Sequence, residues 1–535
     1  MKKIGLTLLI TSTLALSACT MIDFVRRSDN PFFPSEQSST TPSSVDDGRV
    51  ESIEPASIEG DGSKDKQHLR YTMKQFNEHS AYDVDVMPSV GNPKILVIPI
   101  WFRDSSDFIY ENDKEAIREE INKSIFGTNE ETGWYSVKSY YYAESYGACN
   151  IEGSVTNWYH TNYSYDDITS SSMTRNLVER AVDDWKNLNP DLVKEYDTDH
   201  NGYIDGVIAI YGGPNSSNLR GFGHRENENM WAYTTWSSKA KDIESPNVKA
   251  FMWASYDFMY SDTRYVNIDT HTYIHETGHL FGLEDYYDYN DVGYWAGRFS
   301  MQDCNVGGHD PYSMLLLDWA HPYVPTESCT ITLNSFESSG DIILLTPEYT
   351  GSAFDEYILI ELYTDTGVNE LDARHSYKRS YPSGPTYPGI RIWHIDSRLI
   401  YRQGNDYTIT TQIDNNHSYY IGPSNTVRVA GSEENSRCSK LSSLEPYRQL
   451  ELVRCGDYYH RSYKSSLKDQ DLFYRDSTFD ISRYYFNYFN NSSANNPILN
   501  NGKTLDWTVT VDSIVCNSYW DHTNAVATLT LTKNG

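Results

Sequence analysis

The chain has 535 residues and a formal net charge of −30, from 44 basic and 74 acidic side chains. So acidic a surface argues against a nucleic-acid binder, which needs basic side chains to displace phosphate counterions. The length allows one or two large cores, and 44 tyrosines favour substantial β structure.

The first residues address the chain to an extracytoplasmic compartment. "MKK" is a short basic start, and "IGLTLLITSTLALSA" is an apolar run of signal-peptide length, too short to span a bilayer comfortably. It ends in "LSAC", Leu16 to Cys19, which resembles the lipobox of bacterial lipoproteins. The resemblance implies a signal peptide over 1–18 and an acylated Cys19 that tethers the chain to a membrane or cell surface. No other apolar run reaches spanning length. Residues 19–66 are rich in Ser, Thr, Pro, Gly and acids and read as a flexible spacer.

The folded body is expected over 67–324 and 325–535. "NPKILVIPIWF" reads as a buried strand after Pro93. "DKEAIREEINKSIFG" and "SVKSYYYAESYG" read as helices with glycine stops. "MTRNLVERAVDDWKNLN" is a third helix, with Leu177, Val178, Ala181 and Trp185 on one stripe. "GVIAIYGG" is a second buried strand. Strand, helices, strand and a further helix make an α/β arrangement within an α+β chain. Beyond about residue 325, short apolar runs such as "CTITL", "DIILL", "YILIEL", "GIRIWHI" and "AVATLTLT" recur between turn residues. They predict a mostly β, sandwich-like C-terminal region.

Seven cysteines are present. With Cys19 acylated, Cys149, Cys304, Cys329, Cys438, Cys455 and Cys516 remain, an even set that permits disulfides in an exported chain. Cys438 and Cys455 are the first pairing to expect from their nearness in sequence. No CxxC pair exists, which disfavours a cysteine zinc site.

The chemistry lies in "HETGHLFGLED". His275 and His279 fall at i and i+4, so both imidazoles share one helical face and can reach one Zn²⁺. Glu276 beside them can take a proton from a metal-activated water. Gly282 can adopt positive φ and end the helix sharply, which lets Asp285 turn back as third ligand; Glu284 is the weaker alternative. This is the HExxHxxGxx(H/D) arrangement of metzincins, which also carry a methionine turn under the metal. Met301, sixteen residues beyond Asp285, is the candidate, with Met314 as competitor.

These residues resemble the M6 peptidases, the immune inhibitor A family, whose signature "HE-x-GH-x-x-GL-x-D-x-YD" matches "HETGHLFGLEDYYD". "NPKILVIPIWFRD", "SVKSYYYAESYGACNIEGSVTNWY", "DTDHNGYIDGVIAIYGG", "GRFSMQDCN" and "YILIEL" with "PGIRIWHID" also resemble family segments, over roughly residues 92–400. The resemblance implies a secreted or surface zinc endopeptidase with a metzincin-like catalytic domain. It puts zinc on His275, His279 and Asp285 and the general base on Glu276. Two departures stand out: Glu284 occupies a place where proline is usual, and Asp303 a place where some metzincins have an oxyanion-holding tyrosine.

"DTDHNGYID" carries a second metal pattern. Asp197, Asp199 and Asn201 alternate, Gly202 permits the sharp turn, Tyr203 offers a carbonyl and Asp205 sits at position 9 of a calcium loop. Position 12 is Ile208, so this is not an EF-hand; the pattern predicts a structural Ca²⁺. His394 reads as a half-buried strand residue, His271 and His309 as solvated flanks of the zinc site, and His224 with Glu226 as loop.

The sequence therefore predicts a lipid-anchored extracytoplasmic zinc endopeptidase, monomeric, acting on an extended protein segment along an edge strand, for which "KAFMWASYDF" is the candidate. The rival readings are a surface binding lipoprotein or adhesin that keeps the metal without proteolysis, and a zinc hydrolase of non-peptide substrates.

Overall fold

Pro93 cannot continue a ladder, and the β-branched run after it forms the first buried strand, β1 (Lys94–Trp101). The structure is a computed structural model that describes residues 58–59, 65–81, 85–218, 227–260, 265–287, 294–303, 306–375, 377, 383–404, 406–421, 448–457, 466–488 and 498–534. The expected signal peptide, Cys19 and nearly all of the spacer lie outside the described residues, as do Cys304, Cys438, His224 and Glu226. No helix of the described residues is long and apolar enough to cross a membrane.

After β1 come helix α1 (Lys114–Phe126), helix α2 (Val137–Glu144), strand β2 (Glu152–Val155), helix α3 (Ser171–Leu188) and strand β3 (Gly206–Tyr211). Strands β4 (Tyr233–Trp236) and β5 (Ala250–Ser255) precede the histidine helix α4 (His271–Leu280). α2 and α3 begin at serine N-caps, where the hydroxyls of Ser136 and Ser170 accept the N–H groups of Ser139 and Met173. The sheet runs β2-β1-β3-β5-β4; every pair is parallel except β4 with β5. Both faces are covered. Leu96, Ile98, Val207, Ala209, Phe251 and Trp253 meet Leu177, Val178, Ala181 and Val182 of α3. Ile95, Val97, Ile208, Ile210 and Met252 face the side of α1, α2 and α4. This double burial explains why β1, β3 and β5 are almost uninterrupted apolar runs.

Helix α5 (Pro311–Leu316), capped by the Asp310 carboxylate on the Ser313 N–H, leads into the C-terminal strands. These are β6 (Cys329–Asn334), β7 (Ile342–Leu345), β8 (Glu356–Tyr363), β9 (Gly389–Asp396), β10 (Leu450–Val453), β11 (Trp507–Val515) and β12 (Val526–Lys533). β7-β8-β9-β10 form one sheet; β6-β12-β11 form the middle of another. Ile343, Leu345, Ile358, Ile360, Ile390 and Ile392 of the first sheet pack on Ile331, Leu333, Val509, Val511, Leu529 and Leu531 of the second, so the region is a sandwich. The alternate residues of the first sheet, Leu344, Tyr357, Leu359, Trp393 and Ile395, belong to the core shared with the histidine helix. β8 and β9 are therefore buried on both faces, whereas β6 and β12 alternate buried with half-buried.

That inner sheet also buries charge. Arg391 and Glu361 pair at 2.8 Å with side chains 4% and 0% exposed, and the Trp393 indole N–H donates to the same carboxylate. Burial raises the Glu361 carboxyl above its usual range, and Arg391 partly offsets this. Removing the guanidinium leaves a dry carboxylate with one neutral donor. Arg391→Ala is expected to cost about 3–5 kcal/mol in denaturant unfolding at neutral pH, and adding Glu361→Gln should recover part of it.

Candidate metal centre

The histidine helix ends as its glycine requires. Gly282 has φ +91°, its N–H donates to the His279 carbonyl at 3.0 Å, and the Leu283 N–H reaches back to the Gly278 carbonyl at 3.1 Å. The chain reverses there and returns Asp285 to the helix. Nε2 of His275 lies 3.0 Å and Nε2 of His279 3.3 Å from the same oxygen of Asp285. One ligand atom from each of the three residues lies within 4.8 Å of the others. Asp285, and not Glu284, joins the pair.

Backbone carbonyls orient both imidazoles. His275 Nδ1–H donates to the Met301 carbonyl at 2.8 Å and His279 Nδ1–H to the Leu283 carbonyl at 2.7 Å. A carbonyl only accepts, so Nδ1 carries a proton and Nε2 is the atom left for a ligand. Two imidazole nitrogens and one carboxylate oxygen, side chains 11–15% exposed, make a donor set that fits zinc with a position open.

The electrostatics say what an entering cation must displace. Burial opposes charge on the imidazoles, but the Asp285 carboxylate outweighs it, so both are held above the usual imidazole value, His279 at about 10. Burial also opposes ionisation of Asp285, and the two histidines outweigh it, holding that carboxyl well below the usual range. Glu276 is buried, and that burial raises its carboxyl against the pull of both imidazoles. The Thr234 hydroxyl sits 2.9 Å from the Glu276 carbonyl oxygen and 3.2 Å from its Oε2.

Met301 is fully buried, and its turn is wired to the helix. The Met301 carbonyl holds His275, the Gln302 amide donates to the His275 carbonyl at 3.2 Å, and the Tyr286 N–H donates to the Gln302 carbonyl at 2.7 Å. Gly278 makes the approach possible: a Cβ there would meet Gln302 Oε1 at 2.2 Å. Met314 is buried in α5 instead.

The chain matches no protein-family model and no curated protein. What can be said of the site comes from its own geometry.

The edge strand is not where the sequence reading put it. "KAFMWASYDF" supplies β5, which is interior, paired with β3 on one side and β4 on the other. Its six buried residues are the mark of an interior strand. The edge is β4, half-buried along its length, with no partner on its outer side among the described residues. Sequence reasoning missed it, along with Thr234 and Gln302, because their partners are 42 and 27 residues away. "YTTW", four residues of strand-favouring type behind a polar loop, was the available signal.

Other expectations also shift. His309 is not solvated: it is buried, with its Nδ1 3.2 Å from Glu144. His271 is the first residue of α4 and is buried, its ring 6.4 Å from that of His275. His394 is buried rather than half-buried, with Nε2 2.9 Å from Glu356. Cys149, Cys455 and Cys516 are free thiols among the described residues.

In the second loop, Asp197, Asp199 and Asp205 bring carboxylates within 4.8 Å of one another, and Gly202 has φ +91°. Asp205 also accepts the Lys94 N–H at 2.8 Å, tying the loop to the start of β1. Asn201 accepts the Tyr203 N–H at 2.8 Å, and the Tyr203 hydroxyl turns to the Lys239 carbonyl. Burial raises the Asp205 carboxyl to about 6.

Two outcomes follow from the zinc-site geometry. Because both imidazoles are held above their usual value, His279 at about 10, Zn²⁺ uptake at pH 7 should release protons, and affinity should fall as pH falls; calorimetry in buffers of different ionisation heat checks this. Gly278→Ala should lose about 1–3 kcal/mol through the clash with Gln302, and adding Gln302→Ala should restore most of it in a double-mutant cycle.

Proposed function

We propose that the chain is an extracytoplasmic, lipid-anchored zinc endopeptidase of the metzincin type. One observation carries the reading: Nε2 of His275, Nε2 of His279 and a carboxylate oxygen of Asp285 converge beside the buried carboxylate of Glu276. Bound zinc supplies Lewis-acid polarisation of the scissile carbonyl and lowers the pKa of a water. Glu276, its proton affinity raised by burial, takes the proton of the attacking water and passes it to the leaving amine. Thr234 fixes the position of that carboxylate from the edge strand. The outer edge of β4 offers main-chain N–H and C=O groups to an extended peptide, which lays the peptide across the helix face that carries the histidines. The signal-like start and the lipobox-like "LSAC" ending at Cys19 support the extracytoplasmic, lipid-tethered part of this reading.

We also propose that Asp197, Asp199, Asn201, Tyr203 and Asp205 hold a structural Ca²⁺ that braces the start of β1. Saturating Ca²⁺ at 100 times its Kd should stabilise the wild type by about 2.7 kcal/mol. Asp199→Ala, at an exposed position, should abolish that gain in thermal scans while the apo stability changes little.

The peptidase is tested on casein with a soluble chain beginning near residue 66. Wild type should cut, chelated wild type should not, and Glu276→Ala should lose about 10²–10⁴-fold in rate with zinc still bound. Stoichiometric zinc without cutting of any polypeptide would move the reading to a binding protein that keeps its metal.

A further inference from the structure

A second cluster of metal-ligating side chains lies away from the catalytic helix, where residues 65–71 meet the link between α5 and β6. His68 belongs to a segment pinned on both sides. The Lys66 ammonium pairs with Asp341 at 2.7 Å, and the Gln67 N–H donates to the Pro322 carbonyl at 2.8 Å. The Arg70 N–H donates to the Gly351 carbonyl at 2.7 Å, and the Tyr71 carbonyl accepts the Ala353 N–H at 2.9 Å. Opposite stand Asp318 and His321, on the turn that ends α5. Asp318 has φ +61°, a conformation that aspartate tolerates better than most residues and that sets its carboxylate beside His321. Trp319 between them is buried, with its indole N–H on the Ser89 carbonyl at 2.7 Å. Both arms of the cluster are thus positioned by backbone contacts made elsewhere.

The three side chains approach without satisfying one another. The His68 and His321 rings lie 4.0 Å apart between centroids and are tilted by 49°. Asp318 Oδ1 is 3.7 Å from His321 Nδ1, and that nitrogen is buried without a hydrogen-bond partner. One ligand atom from each of His68, Asp318 and His321 lies within 4.8 Å of the others. Ligand atoms around a tetrahedral zinc at about 2.0–2.1 Å stand about 3.4 Å apart, so small side-chain rotations close the set. Lys66, a cation alongside, is paired with Asp341. Two imidazoles and a carboxylate suit a borderline divalent ion such as Zn²⁺ and are poor ligands for Ca²⁺ or Mg²⁺.

We propose that His68, Asp318 and His321 form a second, structural zinc-class site that clamps the N-terminal segment onto the seam between the catalytic unit and the sandwich. Solvent water completes the coordination, since His68 is exposed. The site shares no residue with the catalytic centre, and its test does not depend on peptidase activity.

Equilibrium dialysis of the full chain in mild detergent against micromolar ZnCl₂, followed by metal analysis, counts the sites. Wild type should hold two zinc ions. His68→Ala and His321→Ala should each hold one, with affinity for the second weakened at least about 10-fold. His275→Ala should also hold one, and His275→Ala with His68→Ala none. Because His68 is exposed, His68→Ala leaves the fold intact, and circular dichroism confirms it. Wild-type stoichiometry that His68→Ala and His321→Ala both leave unchanged would overturn the clamp. Loss of zinc in His321→Ala but not in His275→Ala would uphold the clamp and overturn the catalytic reading instead.

Discussion

Everything at the proposed zinc site depends on how one ten-residue helix ends. A helix alone aligns His275 with His279 but cannot deliver a third ligand, because its next turn carries side chains away along the axis. Gly282, at φ +91°, breaks the direction within one residue, and three residues later Asp285 stands against both imidazoles. The same exit places the Leu283 carbonyl under His279, so the residue that leaves the helix also fixes the tautomer of its last ligand. Other side chains there would face a double cost: strain at positive φ, and contact with Met73 and Val86 packed behind.

The charges inside this frame are balanced rather than neutral. A buried carboxylate beside two buried imidazoles is stable only when protons or a metal supply positive charge. Asp285 therefore does two things: it is the proposed anionic ligand, and by raising the proton affinity of His275 and His279 it keeps the site balanced by protons until a cation displaces them. Glu276 lies one residue along and escapes that trap. Its carboxylate meets Thr234 rather than Nε2 of either histidine, and burial shifts it toward the proton affinity that a base working near neutrality needs.

How much of this was legible in the sequence follows the range of the contacts. His275, Glu276, His279, Gly282 and Asp285 fall within eleven residues, and helical spacing followed by a glycine exit brings them together. Met301 was readable as a candidate, but its carbonyl bond to His275 was not, because a carbonyl leaves no trace in composition. The edge strand was misplaced because apolar richness marks an interior strand, as in β5, while the true edge is the plainer "YTTW". His309 was read as solvated because its partner, Glu144, is 165 residues away. In the fold, β1 and β3 were legible as unbroken apolar runs and α1, α2 and α3 from their spacing and stops, whereas the packing of the C-terminal sheet into the core shared with the histidine helix joins faces that no local pattern connects.

That last packing changes what the β region is. The texture of the chain changes near residue 325, but the hydrophobic core does not stop there. Trp393, Ile395, Leu359 and Tyr357 lie in one core with Tyr273, Ile274, Leu280 and Met301. The inner sheet is covered by the outer sheet on one face and by the catalytic unit on the other, so neither cover is optional for it. A fragment ending near 325 would uncover the segment around Met301, where the Leu452 N–H donates to the Trp295 carbonyl at 2.8 Å and Phe299 lies against Tyr363. The sandwich thus acts on the site through packing at one remove: it backs the segment that carries Met301 and Gln302, and Gln302 in turn meets the histidine helix at Gly278 and the His275 carbonyl.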